Sequence, residues 1–112
     1  MKIRVYQIDP ERDKPNVKYL SLSNARNYAP GEIIPDPQAY DMVFSGEVEC
    51  QDEEDVYYLF NHEIPEGHAG HSMSVSDVLE IRTDSGSKFL YCDNIGFKPV
   101  DFDAGKVAVR HG

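Results

Sequence analysis

The sequence has no tryptophan, only two cysteines, and 11 basic residues against 20 acidic ones. The shortages of cysteine and of basic residues each remove a class of protein. Cys50 and Cys92 stand far apart and belong to no C-x-x-C pair, so they form neither a zinc ribbon nor a disulfide scaffold. Two separate thiols are expected, with Cys92 packed as a small core residue. The lack of lysine and arginine leaves a net charge of −9. That charge speaks against direct contact with nucleic-acid phosphates and favours a soluble protein whose charged partner is basic. No apolar stretch approaches the roughly eighteen residues of a membrane span. The opening "MKIRVYQID" lacks the charged start, apolar middle and small-residue cleavage site of a secretion signal, so a cytoplasmic location is expected. Repeats and heptads are absent, as are the G-x-S-x-G elbow and any glycine-rich phosphate loop.

What is present is enough for one domain of 112 residues, 40% apolar, with seven tyrosines and five phenylalanines. Residues 1–104 are read as that domain and 105–112 as a tail or short strand. "KIRVYQI" (2–8) is a β-branched and aromatic run, hence a strand, followed by the turn-rich "DPERDKP". Ser21 or Ser23 can cap a short helix through Arg26, stopped by the proline-rich "APGEIIPDP". In "AYDMVFSGEVE" (39–49), alternation puts Tyr40, Met42, Phe44 and Val48 on one face of a half-buried strand. Asp52 is a fitting N-cap for a helix whose first turn is acidic, and Val56, Leu59 and Phe60 make its apolar face. "VLEIRTD" and "KFLYCD" flank "SGS" as an antiparallel hairpin, and "NIGFKPVDF" supplies one more short strand. The expected fold is α+β: a largely antiparallel sheet of four or five strands packed with one or two helices.

Two stretches attract functional readings. "GHAGHSMSVSDVLEIR" (67–82) holds His68, His71, Ser72, Ser74, Ser76 and Asp77 within a few positions. A Ser/His/Asp triad needs side chains converging from separated segments, which such crowding disfavours. General acid–base work by His71 with Asp77 or Asp93 remains an alternative. So does a metal site of His62, His68 and His71, although their spacing matches no standard pattern and no cysteine joins them. The structural reading accounts for more residues. Ser74 and Asp77 fit an S-x-x-D capping box, Met73, Val75 and Leu79 face the core, and Gly70 supplies a backbone angle other residues avoid. No metal or other cofactor is expected. The second stretch is "EVECQDEED" (47–55), with Glu47, Glu49, Asp52, Glu53, Glu54 and Asp55 and no base among them.

"GHSMSVSDVLEI" followed by "YCDNIGF" resembles the paired signature of YodL-like domains: a Gly-His-Ser-Leu-Ser-Val-Ser-Asp-Val run, then a Tyr-Val-Asp-Ser-x-Gly-Phe run. The likeness extends back through "YLFNHEIPEGHAGHS" and "YDMVF" to "RVYQI", and so spans residues 3 to about 98. Gly70, His71, Ser72, Ser74, Ser76, Asp77, Asp93 and Gly96 fall on matching motif positions. Ile64 replaces a common histidine, His68 a common aromatic, and Cys92 a usual valine. His68 is therefore expected to pack over the loop as the aromatic would.

The resemblance implies small bacterial proteins and modules of phage, plasmid and conjugative-element proteins, with no established catalytic activity. In that setting an acidic protein is expected to be a non-enzymatic counter-defence factor. It would inhibit a CRISPR effector or restriction enzyme by placing the 47–55 carboxylates in a basic channel. The alternatives are a regulatory module that binds a housekeeping protein such as a cytoskeletal filament, and a small enzyme or metal protein centred on His71 and Asp77.

Overall fold

A computed structural model describes residues 1–107 of the chain. In chain order it has β1 (Lys2–Ile8), α1 (Leu22–Tyr28), β2 (Tyr40–Glu47), α2 (Glu53–His62), β3 (Val78–Thr83), β4 (Gly86–Cys92) and β5 (Phe97–Pro99). Short 3-10 turns at Pro10–Arg12, Pro37–Ala39 and Ala104–Lys106 complete it. The strands form one sheet in the order β2-β1-β3-β4-β5, with every neighbouring pair antiparallel. This is the α+β fold expected, with five strands and two helices.

The helices start where local chemistry places them. Ser21 caps α1 by accepting from Asn24 N–H, and Asp52 caps α2 by accepting from Asp55 N–H at 2.9 Å. Val56 and Phe60 of α2 are completely buried against the sheet, with Leu59 half-buried beside them. They meet Ile3, Val5, Phe44, Leu79, Ile81, Leu90 and Cys92, and Phe60 sets its ring edge-on to Phe44 at 5.1 Å. Burial pushes the Cys92 thiol up to about 12, so it packs as an inert core residue.

The opposite face of the sheet is covered too. α1, the connection from 9 to 39 and the segment after β5 enclose Tyr6, Ile8, Val17, Leu22, Ala25, Tyr40, Val78, Tyr91 and Phe102. Phe102 packs on the rings of Tyr6, Tyr40 and Phe89. Central β1 is therefore buried on both sides. Ala104 and Val107 pack against the same cluster, so the boundary proposed at 104 falls inside a packed turn. Residues 105–107 form no strand, and the tail from 108 lies outside the described residues.

One expectation about β2 needs correction. Val5 pairs with Phe44 and Tyr6 with Met42, which leaves Val43 as an extra residue in a β-bulge. The bulge reverses the phase of the alternation. Val43, Phe44 and Val48 lie in the cluster under α2, Tyr40 lies in the opposite cluster, and Met42 is 45% exposed. β2 is also an edge strand, and its carbonyls at Tyr40 and Val43 accept from Arg12 and from Ala69 N–H. The other edge, β5, is three residues long and ends in Pro99. Short or covered edges resist pairing with other chains.

Candidate functional site

The motif loop between α2 and β3 is anchored by a residue of β1. Gln7 Oε1 accepts from His71 N–H at 3.0 Å, while Gln7 Nε2 donates to His71 O at 2.8 Å and to Asp77 Oδ2 at 3.0 Å. A side-chain amide thus pairs with both backbone groups of one loop residue, as a neighbouring strand would. Gly70 exists for this approach. Its φ is not in the left-handed range, but a Cβ there would overlap Gln7 Oε1 and crowd Val43. The expected reason for Gly70, an unusual backbone angle, is therefore replaced by close packing.

The capping box is half formed. Asp77 Oδ2 accepts from Ser74 N–H at 2.8 Å, but Ser74 Oγ donates to Ser72 O instead of accepting from Asp77 N–H. Asp77 N–H bonds Ser74 O, closing a turn that leads into a strand. Met73 is buried and Val75 half-buried. Ser76 takes the positive φ, at 85°. Its conformation is held from three sides: Ser76 N–H donates to Cys92 O, Tyr40 Oη–H donates to Ser76 O at 2.7 Å, and Ser76 Oγ accepts from Tyr19 N–H. In the second half of the signature, Asp93 N–H donates to Gly96 O, Asp93 Oδ1 accepts from Asn94 N–H, and Gly96 has a φ of 69°. These are the contacts of a tight turn.

The histidines are turned to separate partners. His71 Nδ1 lies 2.7 Å from Ser72 O, and His68 Nε2 lies 2.7 Å from His71 O. A carbonyl only accepts, so these two nitrogens carry the protons. His68 stands edge-on to Phe60 at 5.0 Å and tilted against Phe44, so its ring packs on α2 and β2. His62 stacks on Tyr58 at 4.3 Å. Among the described residues no three of His, Cys, Asp and Glu converge in a way that would hold a metal ion. Nor is a relay assembled: His71 contacts neither Asp77 nor a serine hydroxyl by hydrogen bond. Burial lowers the His71 pKa, opposed by its bond to Ser72 O and assisted by the charges of Lys18 and His68. Asp77 is pushed up to about 7, because desolvation outweighs the bonds from Ser74 and Gln7. Its Oδ1 is buried without a hydrogen-bond partner. A cleft of about 340 Å³ opens beside Gln7, Asp9, Glu11, Asp41 and His71. Asp9 and Asp41 are both bridged by Arg12.

The acidic stretch lies at the far end of α2, a helix of ten residues and so roughly 15 Å long. It divides by role. Asp52 is the N-cap, and Asp55 Oδ2 accepts from Gln51 N–H at 3.0 Å. Glu47 sits across from Lys2 in the β1–β2 register, and with Glu49 it lines an open cleft at the N-terminus. Glu49 and Glu54 are exposed and Glu53 is half-buried. None of these four glutamates accepts a hydrogen bond or forms an ion pair among the described residues.

Gln7 was missed by sequence reasoning, although one amide inside the apolar run "RVYQI" is an available signal. The structure thus defines a small α+β domain whose most recognisable motif fastens a loop to its central strand. The chain belongs to the YodL-like domain family, whose family model matches residues 2–102. No curated protein and no solved structure matches it.

Proposed function

We propose that this protein is a non-enzymatic, cytoplasmic binding module that engages a basic protein surface through the start of α2. The observation that carries this reading is the division of the acidic stretch. Asp52 and Asp55 serve the helix, whereas exposed Glu49 and Glu54 and half-buried Glu53 have no hydrogen-bond or ion-pair partner among the described residues. Carboxylates on a rigid helix end complement a channel built for phosphates, at a net charge of −9. The partner class that fits is a nucleic-acid-handling enzyme, and counter-defence against a CRISPR effector or restriction enzyme is the corresponding role. No helix among the described residues is long and apolar enough to cross a membrane, which is compatible with a cytoplasmic site of action.

The test is nuclease inhibition with purified effectors, comparing the parent protein with Glu49→Lys/Glu53→Lys/Glu54→Lys. These substitutions spare the caps. The expected result is inhibition that weakens with salt and disappears on charge reversal. Inhibition that survives the reversal removes the acidic reading.

A further inference from the structure

Among the described residues, the glutamates at the start of α2 lie beside aromatic side chains that the fold leaves exposed. On the outer side of α2, Tyr57 is 41% and Tyr58 61% exposed, and Ile95 at the tip of the β4–β5 turn is 87% exposed. A single exposed isoleucine is ordinary protein surface. Here α2 and the β4–β5 turn also approach each other. The Tyr57 ring meets Phe97 of β5 at 6.5 Å and 79°, and Glu54 Oε1 lies 3.6 Å from where a Cβ on Gly96 would stand. The first turns of α2 and the turn 93–96 therefore form one continuous face. Its centre is the Tyr57–Phe97 pair, with Ile95 next to Gly96 at the tip of the turn and Tyr58, the next residue of α2, stacked on His62. Glu54, and Glu53 four residues before Tyr57 on α2, border it, while Lys98 projects to the opposite side of the sheet from Phe97. Ile95 makes no contribution to the core, and turn tips ordinarily carry Asn, Asp or Gly.

We propose that this face is a docking surface for an arginine-bearing amphipathic segment of a partner protein. The segment's apolar side chains would cover Ile95 and Phe97, and its guanidinium groups would lie over Tyr57 and Tyr58 and pair with Glu53 and Glu54. Charge complementarity selects the occupant: a border of carboxylates repels an acidic segment, a nucleic acid or a second copy of this chain. Tyrosine with arginine is a common energetic centre of interfaces, and the guanidinium is better suited than ammonium to a stacked, bidentate site. The inference rests on the acidic reading above and moves the centre of recognition from the carboxylates to the aromatic patch beside them.

The experiment is an NMR titration of the full chain with a synthetic 16-residue helical peptide of Arg, Leu and Ala, Arg and Leu sharing one face (about four turns). The same peptide with Lys for Arg is the comparison. The expected result is shift changes centred on Glu54, Tyr57, Tyr58, Ile95 and Phe97, with weaker binding of the Lys peptide. Ile95→Ser and Tyr58→Ser should each weaken binding about tenfold (the scale of an interface anchor). Both side chains are largely exposed, so the variants should melt as the parent does. If they bind like the parent while Glu53→Lys/Glu54→Lys abolishes binding, the acidic reading stands and this surface falls. Binding indifferent to every substitution overturns both. Self-association through Ile95, seen by sedimentation, overturns the assignment of a basic partner.

Discussion

Replacing Asp77 by asparagine should flatten a pH dependence that this one side chain imposes on stability. Asp77 is 1% exposed, and burial raises its pKa from 3.8 to about 7. Its two donors, Ser74 N–H and Gln7 Nε2, both reach Oδ2, so Oδ1 loses hydration without compensation. The folded state therefore holds this proton more tightly than the unfolded chain does. Stability from this group is fully present below about pH 4. It declines as the pH rises and is lost by the time the pH passes about 7. A shift of roughly three units corresponds to about 4 kcal/mol between pH 4 and pH 8. His71 acts in the opposite sense. Its lowered pKa contributes stability above about pH 6.5, lost as the pH falls. Comparing Asp77→Asn with the parent at each pH cancels that term. Urea denaturation followed by circular dichroism should show the variant gaining on the parent steadily from pH 4 to pH 8. A carbon-13 titration of the Asp77 carboxyl reads the same quantity directly. A midpoint below pH 5, or a difference between the two proteins that does not change with pH, would refute the burial argument.

Two further outcomes test the supports of the motif loop and of α2. Gly70→Ala should destabilise the fold by about 1–3 kcal/mol, the usual cost of forcing atoms into a packed site, and should raise hydrogen exchange around His71 as Gln7 is displaced. Gly67→Ala, with a φ of 90° but no atom within 4 Å of the new Cβ, should cost less, about 1 kcal/mol of backbone strain. Equal effects in denaturation would argue against the close-approach account. Asp52→Ala should cost about 1 kcal/mol through loss of the N-cap, and Asp52→Asn, which keeps an acceptor, should recover most of it in thermal melts.

The parts legible in the sequence were those whose cause is local. Asp52 announces α2 because an oxygen two or three residues ahead of free N–H groups needs no distant partner, and Val56, Leu59 and Phe60 mark its buried side by helical spacing. The β3–β4 hairpin is equally local, though its turn residues are Asp84 and Ser85, with Thr83 paired to Gly86. β2 was legible as a strand but not in its facing, because a bulge at Val43 depends on register with β1 and has no marker in the residues themselves.

The motif loop shows the same division. Its serine, aspartate and glycine residues marked a corner into β3, its resemblance to the YodL-like signature indicated the family, and His68 in the place of that signature's common aromatic pointed to packing over the loop. Which group holds the loop was decided elsewhere. Gln7 lies more than sixty residues earlier in the chain, and only the pairing of β1 with β3 brings its amide beside His71 and Asp77. The acidic stretch was plain from composition, yet composition cannot separate Asp52 and Asp55, which bond backbone N–H groups at the start of α2, from Glu49, Glu53 and Glu54, which have no such partner among the described residues. Local chemistry specifies where elements begin and which sides they bury. Long-range packing specifies which polar groups find partners and which, like Asp77 Oδ1, are buried without one.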